Sequence, residues 1–530
     1  MVFALVFATV SACKCKMVRN KPRMRLQPLA RQSGTGEESE RWLVLNPSHS
    51  PLSCPTPGSV MSNRATNKVS FWSWLLLYCG LVVLGLAANY PGRLTLDSYD
   101  MLVQFRFPEV LNNWHSPFVT FVWSLLSPVM PQPAGALLIQ CALLFPYPAA
   151  LILDRTHSRI LASILTAALI GLVGLLVKDM MFTAFMLCGF GALEYLTGTK
   201  RIGAVAITVI AALLIRPTNF VILACLGWVW AFHTYRGWAF AWRAVAIAVI
   251  SVSMIPLYNV ISEDGFKAKD ARPDKSLLIF DIAGISTGIH ENEFSKLPGW
   301  PTNSLPAPWD CYTPRAWDPF AWGDCRTYAD QFNAVADRAG KVEIQKLWIE
   351  TIASHPLAYL KHRAMHGYNL LRHLSPMSEA SEPWAANVDG FDMSQLGVYG
   401  IDTKNMFLNY RSNILTRPLS VIERVVFNRF TPVLSLLLCG YVLVRQRKLR
   451  LDAVNIAVAT TGIANFIMLV FLGVASEGRY LLPTVLCGIL CLDLCTKLIF
   501  GSRFAPGTGI NLAATRGQIG DEKPDPGRAV

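Results

Sequence analysis

Asp97 and Asp100 sit at i and i+3 in the stretch NYPGRLTLDSYDMLVQ, Asn89 to Gln104, with Gln104 at i+7. On a helix these three side chains share one face. An ionised carboxylate there can take the proton of an attacking hydroxyl, while Asp100 and Gln104 position the acceptor that carries it. The same residues also read as a helix start, with Asp97 as N-cap and Asp100 in the first turn. The two readings are compatible, because a helix start would hold the Asp97 carboxylate in one place. The pair follows a membrane-length apolar run within about a dozen positions, where charge is costly unless it is hydrated or has a task.

Other short tips carry charge where a plain turn needs none: Lys178-Asp179, Arg216-Pro217-Thr218-Asn219 and Glu477-Gly478-Arg479, with Trp114-His115 beyond the aspartates. Cations so placed can stabilise an anionic leaving group. Taken singly, each has a plainer explanation. Lys178 and Asp179 can pair with each other, and Arg216 and Arg479 can snorkel to lipid headgroups. Taken together, they make Asp97, Asp100 and Asp179 the candidate catalytic residues. Gln104, His115, Lys178, Arg216, Glu477 and Arg479 are the candidate substrate-binding residues.

The elements that must position them are membrane helices. The chain has 530 residues, 52% hydrophobic and 16% charged, with mean hydropathy +0.36. Soluble proteins carry about 25% charged residues. Apolar runs of membrane-spanning length recur, which predicts an all-α polytopic membrane protein with about ten transmembrane helices. The net charge of +13 lies in short segments between those runs, as in DRTHSR, TGTKR, YRGW and RQRKLR. That is the positive-inside pattern of cytoplasmic loops, and no nucleic-acid partner is expected.

Spans are predicted at residues 71–88, 134–153, 160–177, 180–196, 202–215, 218–232, 240–260, 432–444, 453–474 and 480–500. The apolar part of the first external loop, SPFVTFVWSLLSPVM, is bracketed by Pro117, Pro128, Pro131 and Pro133. At about fourteen residues it is too short to cross, and predicts an amphipathic helix at the interface or a re-entrant one. This topology gathers the Asp97, Lys178-Asp179, Arg216 and Glu477-Arg479 tips on the external face. Residues 1–60 read as a disordered extension or a misassigned start upstream of Met61. Residues 61–260 form the N-terminal transmembrane core and 261–428 an external α-rich loop domain. Residues 429–502 are C-terminal transmembrane helices, and 503–530 a disordered cytoplasmic tail.

Within the loop domain, Cys311 and Cys325 stand alone in DCYTPRAWDPFAWGDC. Outside the cytoplasm, two such cysteines predict a disulfide. In SHPLAYLKHRAMHGYNLLRH, His362 and His366 have metal-binding i, i+4 spacing. No glutamate completes a zinc-protease pattern, and Lys361, Arg363 and Arg372 crowd the segment. A basic amphipathic helix on the membrane surface, starting at Pro356, is the preferred reading. Walker loops, dinucleotide fingerprints, GxSxG elbows and zinc-ligand sets are missing.

YPGRLTLDSYDMLVQ, WHSPFVTFVW, VKDMM and EGRYLLP together resemble the GT-C superfamily of integral-membrane glycosyltransferases. That superfamily includes protein O-mannosyltransferases, aminoarabinose transferases of lipid A and core-sugar transferases of rhizobial lipopolysaccharide. The resemblance implies transfer of a sugar from a polyprenyl-phosphate carrier to a glycan, lipid or protein acceptor. It places the enzyme in the bacterial inner membrane with its active site facing the periplasm. Asp97 matches the first-loop acid and is the implied general base, Asp179 the second-loop acid, and Arg479 a phosphate-binding arginine. Members often have adjacent Asp-Glu and a His-Pro pair, whereas this chain has Asp97-Ser98 and His115-Ser116-Pro117. The mid-chain position of the loop domain also departs from the superfamily. The implied chemistry requires no cofactor or metal.

Two other readings compete. An O-antigen ligase or polymerase would centre on His362 and Arg363. A non-catalytic transporter of lipid-linked sugars would need charge in mid-helix, and the apolar runs carry theirs mostly at the ends.

Overall fold

The computed structural model describes residues 70–219 except 131 and 155, 256–372 except 302–304 and 322–324, 424–449 and 453–504, with a few isolated positions between. The predicted span 218–232 lies outside the described residues beyond Asn219, and 240–260 is described only at 256–260 and four isolated positions; the 1–60 extension, most of 373–423 and the tail beyond residue 504 also lie outside.

Among the described residues helices dominate, and five are long and apolar enough to cross a membrane. The protein is therefore a membrane protein. These five segments are 71–89, 134–153, 198–215, 454–472 and 478–496. Two shorter apolar helices, Arg159–Leu172 and Thr431–Arg445, accompany them.

α1 (Phe71–Asn89) carries no charged residue. At its end Asn89 Nδ2 donates to Gly85 O at 3.0 Å and Ile170 O at 2.7 Å. The chain then forms a two-residue strand, β1 (Arg93–Leu94), before α2 (Leu96–Arg106). α3 (Pro117–Ser124) is only eight residues, about 12 Å long, and cannot cross a bilayer. The predicted interfacial segment is thus a short buried helix followed by turns. α4 (Ala134–Leu144) and α5 (Pro146–Leu153) share one span, interrupted at Pro146, which has no N–H to offer the preceding turn.

α6 (Arg159–Leu172) leads to β2 (Leu175–Leu176), which pairs in parallel with β1, Arg93 opposite Leu175 and Leu94 opposite Leu176. Close approach makes this possible, since a Cβ at Gly174 would collide with the Asn89 side chain. Gln140 Nε2 reinforces the turn by donating to Val173 O at 2.6 Å and Leu175 O at 2.9 Å. α7 (Lys178–Tyr195) and α8 (Gly198–Ile215) then pack against each other.

The loop domain contains α9 (Lys275–Ile289), α10 (Pro308–Cys311), α11 (Asp318–Ala321), α12 (Thr327–Ala339), α13 (Lys341–Ser354) and α14 (Pro356–Arg372). It has its own core, built on Ile279, Phe280, Phe294, Phe320, Tyr328 and Phe332. Cys311 and Cys325 are joined by a disulfide with a Cα–Cα distance of 5.9 Å. α15 (Thr431–Leu449), α16 (Ala453–Leu472) and α17 (Leu482–Phe504) pack together and close the fold. α15 and α17 touch where Gly488 faces Ser435 with no room for a Cβ.

Candidate functional site

The β1–β2 pair sets the site by fixing two loops side by side. β1 delivers α2, and β2 delivers the first turn of α7 with Lys178 and Asp179. The N-cap of α2 is Thr95, not Asp97. The Thr95 and Ser98 side chains form a reciprocal capping box, and Ser98 Oγ also donates to Leu176 O. Asp97 is the second helical residue, its carboxylate left over for other partners.

Those partners come from far along the chain. Arg479 Nη2 donates to Asp97 Oδ2 at 3.0 Å. The same guanidinium lies 2.5 Å from Glu477 Oε2 and 3.9 Å from Asp179 Oδ2 through Nε. Arg216, released at the end of α8, pairs through Nη2 with Asp179 Oδ1 at 2.7 Å. Asp179 therefore takes its cation from α8 rather than from neighbouring Lys178. The Arg216 and Arg479 guanidinium carbons both approach the Tyr480 ring, at 4.6 and 5.1 Å from its centroid. Neither arginine is free to snorkel, with side chains 17% and 14% exposed. Lys178 makes no direct ion pair among the described residues, but its charge acts on Asp97 and Asp179.

The network also shapes the Asp97 carboxyl. Burial alone would raise its pKa, but Arg479, with Lys178 and Arg216, outweighs burial and holds it well below the usual carboxylate range.

A second layer contains Asp100, Gln104 and His115. Gln104 Nε2 donates to Asp100 Oδ2 at 2.7 Å, and Gln104 Oε1 accepts from Asn112 N–H at 3.3 Å. His115 Nε2 lies 3.3 Å from the same Asp100 oxygen. Burial pushes the His115 ring down to about 3, with Lys178 the next cause, so the ring is neutral. It can then donate through only one nitrogen. Asp100 is shifted upward, first by burial and then by Asp97, with the Gln104 bond opposing. One carboxylate is thus held ionised while its neighbour is made easier to protonate.

Asp318 escaped the sequence reading. Residues 315–317 run antiparallel beside 474–476: Ser476 N–H donates to Arg315 O at 2.8 Å, and Trp317 N–H to Val474 O at 2.9 Å. This brings the start of α11 within the field of Glu477 and Asp97. The Asp318 side chain reaches solvent, yet its pKa is pushed up to about 6, first by burial and then by those two carboxylates.

The histidine helix also differs from expectation. α14 starts at Pro356 as the sequence implies, but His362, Arg363 and His366 are buried rather than turned to lipid headgroups. Asp281 on α9 explains this. Its Oδ1 lies 2.6 Å from Arg363 Nη2 and 3.1 Å from His362 Nε2, and its Oδ2 accepts from Trp348 Nε1 at 2.9 Å. Tyr312 O–H closes on His362 Nδ1 at 2.8 Å, and Arg363 Nη1 donates to Gly473 O at 2.7 Å. Ser476 Oγ lies 3.2 Å from His366 Nδ1. These residues bind the loop domain to the segment that carries Glu477 and Arg479.

The fold thus brings Asp97, Asp179, Arg216, Glu477 and Arg479 into one ion-pair network, with Asp100, Gln104 and His115 beside it and Lys178 within its field. Such a set can hold an anion, move a proton and stabilise charge leaving on an oxygen. Compared with family models, curated proteins and solved structures, the chain matches none.

Proposed function

We propose that the protein is a glycosyltransferase of the bacterial inner membrane, moving a sugar from a polyprenyl-phosphate carrier to a hydroxyl on a cell-envelope glycan or lipid. The observation that carries this reading is the Arg479–Asp97 ion pair at 3.0 Å, set beside the Arg216–Asp179 pair at 2.7 Å. An anionic lipid phosphate competes with Asp97 for Arg479. As the phosphate engages Arg479 and Arg216, the Asp97 carboxylate is released at the point where the anomeric carbon lies.

Asp97 then takes the proton of the acceptor hydroxyl as its oxygen bonds to the anomeric carbon. The bond from that carbon to the carrier phosphate breaks through an oxocarbenium-like state. Its electron pair leaves on the phosphate, where Arg479, Arg216 and Lys178 offset the charge. Asp100, Gln104 and His115 position the acceptor. The chemistry requires no metal. On the topology read from the sequence, with about ten spans and the strongly basic loops in the cytoplasm, this site faces the periplasm.

The ligase or polymerase reading has less support, because its proposed centre, His362 and Arg363, is buried against Asp281. The test of the proposal is mass spectrometry of envelope glycans from cells carrying wild-type protein, Asp97→Asn or no protein. Loss of one sugar in the last two supports it. Accumulation of intact chains on carrier lipid favours the ligase.

A further inference from the structure

A separate group of ionisable side chains gathers at the other end of α7. Asp179 and Glu194 are separated by about 22 Å of helix, at 1.5 Å rise per residue. There the loop after α5 brings Asp154 and His157 against Glu194, and α17 contributes Asp493. His157 Nε2 lies 2.9 Å from Glu194 Oε1, and Nδ1 lies 2.8 Å from Asp493 Oδ2. One ligating atom from each of Asp154, His157 and Glu194 can be chosen so that all lie within 4.8 Å of one another.

The imidazole poses a hydrogen-bonding problem. A neutral ring has one N–H and one lone pair, yet both His157 nitrogens face carboxylate oxygens. Either a second proton is held in these contacts, on the ring or on a carboxyl, or a cation takes the proton's place between Nε2 and Glu194. Three observations favour the cation. Asp154 adds a third ligand, giving the nitrogen and oxygen donor set that suits a divalent transition metal.

Each of the three also has an outer partner that orients it. Asp493 faces His157 Nδ1, Tyr147 O–H donates to Glu194 Oε2 at 3.0 Å, and Tyr195 O–H donates to Asp154 Oδ2 at 3.2 Å. A carboxylate behind a histidine in this way fixes its tautomer and strengthens it as a ligand. Finally, a small crevice of about 20 Å³ lined by His157, Glu194, Asp493 and Tyr147 leaves room for a water ligand.

We propose that Asp154, His157 and Glu194 form a divalent transition-metal site, with His157 ligating through Nε2 and Asp493 holding the Nδ1 proton. On binding, the Nε2 proton is released to solvent and the metal takes its position. The site is independent of the sugar-transfer reading, since it shares no residue with the Asp97 network.

The test uses full-length protein purified in detergent, treated with EDTA, reloaded with Zn²⁺ and desalted before the bound metal is counted by mass spectrometry. Wild type should retain one Zn²⁺ per chain and melt at a higher temperature with Zn²⁺ than without. Glu194→Gln and His157→Gln should lose both responses. Asp493→Asn keeps all three ligands and should bind about 10–100-fold more weakly. A Co²⁺ titration of the wild type, read by visible absorption, gives a result that requires no variant to fold. Saturation at one equivalent with ligand-field bands supports the site. Absence of those bands, Zn²⁺ retention in His157→Gln equal to wild type, or no retention by wild type overturns the proposal and leaves the group as a hydrogen-bonded cluster.

Discussion

Arg479 and Asp97 are hydrogen-bonded at 3.0 Å although 382 residues separate them in the chain. The contact fastens the last loop to the first and leaves Asp97 ionised, since Arg479 outweighs the effect of burial on its carboxyl. A carboxylate held so low is a weak base. On the sugar-transfer reading, the anionic donor restores its basicity by drawing Arg479 away, so donor binding precedes proton transfer.

Arg216→Met removes the cation paired with Asp179, whose side chain is only 5% exposed. Leaving a buried carboxylate without its partner costs about 3 kcal/mol, with Arg479 at 3.9 Å offsetting part of it. Chemical denaturation of the detergent-solubilised protein should show this loss. A change below about 0.5 kcal/mol would mean that Asp179 does not depend on Arg216.

Asp318→Asn should stabilise the protein in a pH-dependent way. The folded pKa of Asp318 is about 6, above the unfolded carboxyl value. Between that unfolded value and pH 6 the folded state binds more protons, so stability falls as pH rises through this window. The penalty is complete above pH 6 and absent at low pH. Melting temperatures at pH 7.5 should therefore favour the variant over wild type, and those at pH 4 should not differ. An equal shift at both values would show that the effect is not electrostatic.

Asp281→Asn leaves the buried Arg363 guanidinium without its anion. The expected result is a stability loss of about 3–5 kcal/mol, read by denaturation, with no sugar-specific defect in protein that remains folded. A variant of normal stability that has lost all activity would instead favour the ligase reading, in which His362 and Arg363 do the chemistry.

Much of the site was legible because charged tips between apolar runs are conspicuous in sequence. Asp97, Asp179, Arg216 and Arg479 all stand at such tips, and three-dimensional structure adds their pairing. Less legible was anything decided by tertiary contact. Asp97 looks like a helix cap by residue type, but Thr95 and Ser98 satisfy the same backbone groups and leave it free. Asp318 reaches the site only through the pairing of 315–317 with 474–476, which no local pattern announces. Asp281 lies inside the apolar run SLLIFDIAGI and passes unnoticed there. Its burial draws in His362 and Arg363, so one face of a helix that reads as a membrane-surface element packs against α9, while Leu357, Leu360 and Tyr368 stay exposed on the other. Among the described residues helices form along the apolar runs, but their lengths differ from those runs. The 160–177 run yields a fourteen-residue helix because Leu175 and Leu176 are taken by the strand pair.

The central claim is that Asp97 and Arg479 together handle a lipid-phosphate sugar donor. Its most direct measurement is transfer from a radiolabelled polyprenyl-phosphate sugar to envelope acceptor in membranes containing wild-type, Asp97→Asn or Arg479→Lys protein at equal levels. The account predicts that Asp97→Asn loses about 10²–10⁴-fold in transfer while still binding donor. Arg479→Lys should weaken donor binding itself, because a point charge replaces a fork that spans two partners. Wild-type rates in Asp97→Asn, with the variant inserted and folded, would contradict it.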